Sequence, residues 1–85
     1  MSTDLYFMPM VSNKTKLPRA LKYIISKKFW GHDGSLAGDS IILCDSNIDY
    51  LNGILDTTDN VEVRDAIRLI LKSIEQYGMI EMWLV

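Results

Sequence analysis

One cysteine, one histidine and two prolines are all that the 85 residues hold of these types, and no apolar run approaches the roughly 20 residues that a membrane-spanning helix requires. The single Cys44 excludes an intramolecular disulfide and points to a reducing compartment. It follows Ile41, Ile42 and Leu43, so its thiol is expected to be buried and inert. One cysteine with one histidine falls short of the roughly four ligands of a structural zinc site, and no metal is expected. The glycine-rich segment 31–38 lacks a Gly-Lys-Ser/Thr ending, so no phosphate-cradling loop and no nucleotide cofactor are expected. Met1-Ser2-Thr3-Asp4 does not lead from basic into apolar residues as a secretory leader would, so a cytoplasmic location without a membrane partner is expected. No repeat and no Pro/Gly/Ser-rich linker divides the chain, and residues 1–85 are expected to form a single domain.

What is present is ordinary globular composition, with 48% hydrophobic and 24% charged residues. A chain this short buries about 60–65% of the surface that its unfolded form exposes. That leaves room for one core and excludes large multi-step enzymes. Residues 4–11 (DLYFMPMV) are apolar, too short for a stable helix and stopped by Ser12-Asn13, so they read as a strand. Pro9, which has no N–H to donate, belongs at an edge, a bulge or the strand's end.

Pro18 suits the start of a helix in which Leu17, Ala20, Leu21, Ile24, Ile25 and Phe29 share one face, before Gly31-His32-Asp33-Gly34 ends it. Residues 30–39 hold three glycines and read as a loop, with Leu36 expected to plug back onto the core. Residues 40–44 (SIILC) are continuously apolar, as in a central strand covered on both faces. Asp45-Ser46-Asn47 offers caps for a second helix through Ile48, Leu51, Ile54 and Leu55. Asp59 with Glu62 reads as a capping box for a third helix along Val63, Ala66, Ile67, Ile70, Leu71, Ile74 and Tyr77, which stops at Gly78. Residues 79–85 then alternate as a final strand. The order β-α-β-α-α-β predicts an α+β domain, a three-stranded sheet covered by helices on one side, and its β-α-β start allows the first two strands to run parallel.

Charge is polarised along the chain. Residues 1–31 carry six basic groups against one acidic, and residues 32–85 carry three basic against ten acidic. Such asymmetry concerns partners rather than fold. The basic block, on residues 16–28 with Lys14, could neutralise several phosphates and makes a nucleic-acid-binding accessory or regulator one alternative reading. The chain as a whole is nonetheless acidic, with a pI near 5.1.

The acidic block centres on Asp45, Asp49, Asp56 and Asp59, with Asp39, Glu62 and Asp65 nearby and Arg64 alone opposing them. Capping and solubility explain part of it. The sharper reading is a docking surface for a basic protein, with Tyr50, Trp30 and Trp83 as aromatic anchors. Asp45, Asn47 and Asp49 alternate like the start of a calcium loop, but Gly53 and Asp56 fall where the motif fails, and capping by Asp45 is the preferred reading.

His32, Asp33 and Ser35 form the one cluster with the residue types of a nucleophilic triad, and a small enzyme or enzyme subunit using this loop is the second alternative. Three such residues on one glycine-rich loop lack a rigid orienting group, so a plain turn with Asx-type hydrogen bonds is preferred. The Cys44/His32 pair is disfavoured by the apolar setting of the thiol. The leading expectation is therefore a non-enzymatic inhibitor, such as an immunity protein or a phage-type inhibitor, that occludes a nuclease toxin or other cationic enzyme through its acidic surface.

Overall fold

The computed structural model describes residues 3–9 and 15–85. In chain order the elements are β1 (Leu5–Pro9), β2 (Thr15–Lys16), α1 (Arg19–Phe29), β3 (Ser40–Cys44), a 3₁₀ turn (Asp45–Asn47), α2 (Ile48–Thr57), α3 (Val61–Tyr77) and β4 (Met79–Leu84). The α+β class is as expected, but the sheet has four strands, in the order β2-β1-β4-β3, all antiparallel. The additional strand has two residues, too few to leave a periodic signal, and it is defined by Tyr6 opposite Lys16 and Phe7 opposite Thr15. Pro9 closes β1 opposite Ile80, the strand-end position that suits a residue without an N–H. Met10 and Val11, expected to continue that strand, lie outside the described residues, as does Lys14.

β4 lies in the middle. Leu5 through Pro9 oppose Leu84 through Ile80 on one side, and Ser40 through Cys44 oppose Trp83 through Met79 on the other. Both neighbours run against β4 and hence in the same direction as each other, but they do not pair, because the C-terminal strand separates them. β3 is thus an edge strand, not the central one that its apolar run suggested, and its Ile42 is 58% exposed. A continuous apolar stretch records burial preference and carries no information on which strands flank it.

All three helices bury their apolar stripes against one face of the sheet. Leu5, Phe7, Leu43, Ile80, Met82 and Leu84 point into that layer and meet Leu21 and Ile25 of α1, Leu51 and Ile54 of α2, and Val63, Ile67, Ile70 and Ile74 of α3. In α3 the expected wall of Ile67, Ile70 and Ile74 is buried, with Ala66 and Leu71 packed partly against it. Asn60, not Asp59, caps this helix, its Oδ1 accepting the Val63 N–H at 3.2 Å. Gly78 ends it at φ +85°, donating its N–H to Ile74 at 2.7 Å. Asp45 caps nothing: Cys44 precedes the 3₁₀ turn and donates its N–H to Asn47 Oδ1 at 3.0 Å. Leu36 does not plug the core and stands 62% exposed.

The other face of the sheet presents Tyr6, Met8, Ile42, Met79, Trp83 and Cys44 together with Lys16, Ser40 and Glu81, the residues that alternate with the buried ones. Among the described residues no helix covers it.

Candidate functional site

The acidic residues fall on the exposed surface of α2 and the segments that flank it. Asp45 lies in the 3₁₀ turn, Asp49 in the first turn of α2, Asp56 in its last, Asp59 in the link to α3 and Glu62 in the first turn of α3, and all five are exposed. Asp49 and Asp56 are seven residues apart, which on a helix is two turns, about 10 Å along one face. Among the described residues none of the five has an ion-pair partner; the pairs present are Lys16–Asp4, His32–Asp39 and Arg68–Asp65. Arg64, the one cation that the sequence placed among them, is turned onto backbone instead. Its Nη1 donates to the Leu55 carbonyl at 2.5 Å and the Thr58 carbonyl at 3.3 Å. The guanidinium thus satisfies carbonyls at the C-terminal end of α2, where helices accept cations, and leaves the carboxylates unneutralised.

Two aromatic residues expected as anchors are placed differently. Tyr50 is half-buried and not a free surface anchor, with its ring edge-on to Phe29 at 5.6 Å and Lys28 Nζ 5.2 Å above it. Burial pushes the Tyr50 hydroxyl pKa above its ordinary value. Trp30 follows the last turn of α1, half-buried, stacked on His32 at 6.2 Å and donating its indole N–H to the Ser40 carbonyl at 3.4 Å. It organises the loop and the start of β3 rather than joining the carboxylates.

The His32 loop has both imidazole nitrogens occupied. Nδ1 accepts the Gly34 N–H at 3.0 Å, and Nε2 lies 2.6 Å from Asp39 Oδ2. That pattern assigns the proton to Nε2, on the Asp39 side. No ring nitrogen is left to take a proton from Ser35, or from the Cys44 thiol. Asp33 closes an Asx turn by accepting the Ser35 N–H at 2.9 Å, and hydrogen bonds from Ser35, hydroxyl first and backbone second, hold the Asp33 carboxyl below its ordinary pKa. The trio is a structured turn.

Cys44 is not buried as expected. It is half-exposed on the uncovered sheet face, 3.2 Å from Ser46 Oγ, and the Ser46 hydroxyl, followed by its backbone, lowers the thiol pKa from the ordinary value. Among the described residues no three His, Cys, Asp or Glu side chains form a metal-binding group. Among the described residues no helix is long and apolar enough to cross a membrane.

The basic block is partly spent within the fold. Lys22 Nζ donates to the Thr3 carbonyl at 2.7 Å, Lys16 pairs with Asp4 at 3.4 Å and Lys28 sits over Tyr50, while Arg19 and Lys27 are exposed. The sequence reading passed over the uncovered sheet face. Its signal was present in residues 79–84, where Met79, Glu81 and Trp83 alternate with buried Ile80, Met82 and Leu84.

The chain matches no known family model, no curated protein and no solved structure.

Proposed function

We propose that the protein binds a basic partner protein through the carboxylates of α2 and its flanks and blocks that partner, as an immunity protein or a phage-type inhibitor neutralises a nuclease toxin or another cationic enzyme. The observation that carries this reading is the set of five exposed carboxylates without an ion pair, left so because Arg64 is committed to backbone carbonyls. Like charges held on rigid helices repel one another, and a cationic groove built for phosphates relieves that repulsion on binding. Asp49 and Asp56 are the central contacts, with Asp45 and Asp59 at the ends. Tyr50, on α2 beside them, is a half-buried ring already fixed against Phe29, while Trp30 stays with the His32 loop and lies outside this surface. The protein acts without catalysis, and its single cysteine suits the cytoplasm.

Charge reversal tests the reading. Asp49→Lys combined with Asp56→Lys should slow association with the isolated partner about tenfold or more at low salt and flatten its salt dependence, while the denaturation midpoint stays constant. Inhibition of the partner's activity should weaken in parallel. If binding ignores these changes and is lost with Arg19→Glu and Lys27→Glu, the working surface is the basic helix and the partner a nucleic acid.

A further inference from the structure

The sheet face opposite the helices is an apolar surface that the described elements leave uncovered. Ile42 and Met79 are 58% and 39% exposed on it, and Trp83 stacks against Tyr6 at 6.3 Å. Between Met8, Ile42, Met79, Ile80 and Glu81 lies a hollow of about 140 Å³, close to the volume of about 150 Å³ that takes a benzene-sized group in a protein interior. Glu81 forms one wall of the hollow and is exposed, with no ion-pair partner among the described residues.

Three observations narrow what covers this face. Three strands of about five residues and the two residues of β2, at about 4.8 Å spacing and about 3.4 Å rise, give roughly 300 Å² of flat area, room for one helix and not for the roughly 800 Å² per partner of a standard two-domain interface. A second copy would in addition bring Glu81 toward its own counterpart across a two-fold axis, setting two unpaired carboxylates in the middle of the contact. An added strand is disfavoured as well. At the β3 edge the Ser40 carbonyl already accepts the Trp30 indole N–H, and the Cys44 N–H is already bonded to Asn47. The opposite edge is a strand of two residues. A single helix, about 10 Å across, matches the footprint and completes the layering that a sheet with an apolar second face calls for.

We propose that this face docks an amphipathic helix of a partner protein, with one apolar or aromatic side chain in the Met8/Ile42/Met79 hollow and a lysine or arginine beside it on Glu81. The methionines that wall the hollow adapt to the shape of the inserted group. The contact does not depend on the carboxylates of α2.

The test uses the full chain with Trp30→Phe, which leaves Trp83 as the only tryptophan, and two synthetic amphipathic helical peptides of about 15 residues carrying either one lysine or one glutamate within the apolar face. The lysine peptide should shift Trp83 emission to the blue and move the amide signals of Met8, Ile42, Met79 and Glu81. Ile42→Asp should weaken its binding about tenfold or more, and Glu81→Lys should reverse the preference in favour of the glutamate peptide. Both positions are exposed, so thermal melts of the variants should match the parent. Failure of the lysine peptide to bind, equal affinity of both peptides for the parent, or signal changes confined to α2 would overturn the proposal. Concentration-dependent self-association that Ile42→Asp abolishes would also overturn it, by naming a second copy as the occupant.

Discussion

Gly34 offers the sharpest test of how the loop is locked to the helix layer. It adopts φ +89°, and a Cβ built there would lie 2.9 Å from Ser26 Oγ and 3.1 Å from Lys22 Cγ. The Ser26 atom belongs to a fully buried side chain on α1 and has no hydrogen-bond partner, while the Lys22 stem leads to an ammonium fixed on the Thr3 carbonyl. The Gly34 carbonyl in turn accepts the Thr3 hydroxyl. Gly34→Ala therefore has two costs: about 1–2 kcal/mol for an L-residue in the left-handed region, and about 1–3 kcal/mol for pressing a methyl group into packed atoms. Of a total stability of about 5–15 kcal/mol this is a large share. Urea denaturation should show it as a lowered midpoint at constant slope. Ser26→Ala alone should be neutral or stabilise by up to about 2 kcal/mol, since it removes a buried hydroxyl that bonds to nothing. Combined with Gly34→Ala it should recover part of the loss, giving a coupling of about 1 kcal/mol or more in the double-mutant cycle. A Gly34→Ala variant as stable as the parent, or a cycle that is additive, would refute the packing argument.

Ile70→Ala, in the middle of the α3 wall and fully buried, should cost about 2–5 kcal/mol by chemical denaturation. Asn60→Ala should lower stability by about 1 kcal/mol through loss of the bond to the Val63 N–H, whereas Asp59→Ala, which caps nothing, should lie within about 0.5 kcal/mol of the parent in the same melts. The Cys44 thiol, held below its ordinary pKa by Ser46, should react with iodoacetamide at pH values where an unperturbed thiol is slow; Ser46→Ala should raise that pKa and slow the reaction at neutral pH.

Where periodicity spoke, the sequence and the fold agree in the main, although Ala20 and Tyr77, counted on the apolar stripes of α1 and α3, are exposed. The stripe from Val63 to Ile74 is buried in α3, and the spacing of Leu17, Leu21 and Ile25 orients α1. These signals are local, since a 3.6-residue repeat needs no knowledge of the rest of the chain. Strand order is not local. Nothing in the run of residues 40–44 says that its only neighbour will be the C-terminal strand, and nothing in Thr15-Lys16 says that two residues will pair with Tyr6 and Phe7. The choice between Asp59 and Asn60 as cap was equally open, because both are good capping residues and only the backbone path decides which side chain reaches the Val63 N–H.

The candidate site divides in the same way. Exposure of Asp49 and Asp56 was legible, as both fall off the Ile48/Leu51/Leu55 stripe. The commitment of Arg64 to Leu55 and Thr58 was not, because it depends on the angle at which α3 leaves the link after α2. His32 attracted notice for its neighbours Asp33 and Ser35, yet its carboxylate partner is Asp39, reached only after the loop folds back. Proximity in sequence pointed to the wrong acid.

The carboxylate surface of α2 and the apolar sheet face are separate physically as well as in sequence. α2 belongs to the helix layer, and the apolar face is the far side of the sheet that this layer covers. One flat partner surface therefore cannot lie on both. Carboxylates in solvent act chiefly on the rate of encounter and are screened within about 10 Å at 0.1 M salt, whereas a hollow walled by methionine and isoleucine acts on the rate of departure and is insensitive to salt. A partner that engages only α2 should be salt-sensitive in association and indifferent to Ile42. One that engages only the sheet should show the reverse. The geometry thus makes each reading refutable without the other, and it requires any partner that uses both surfaces to reach around an edge of the sheet.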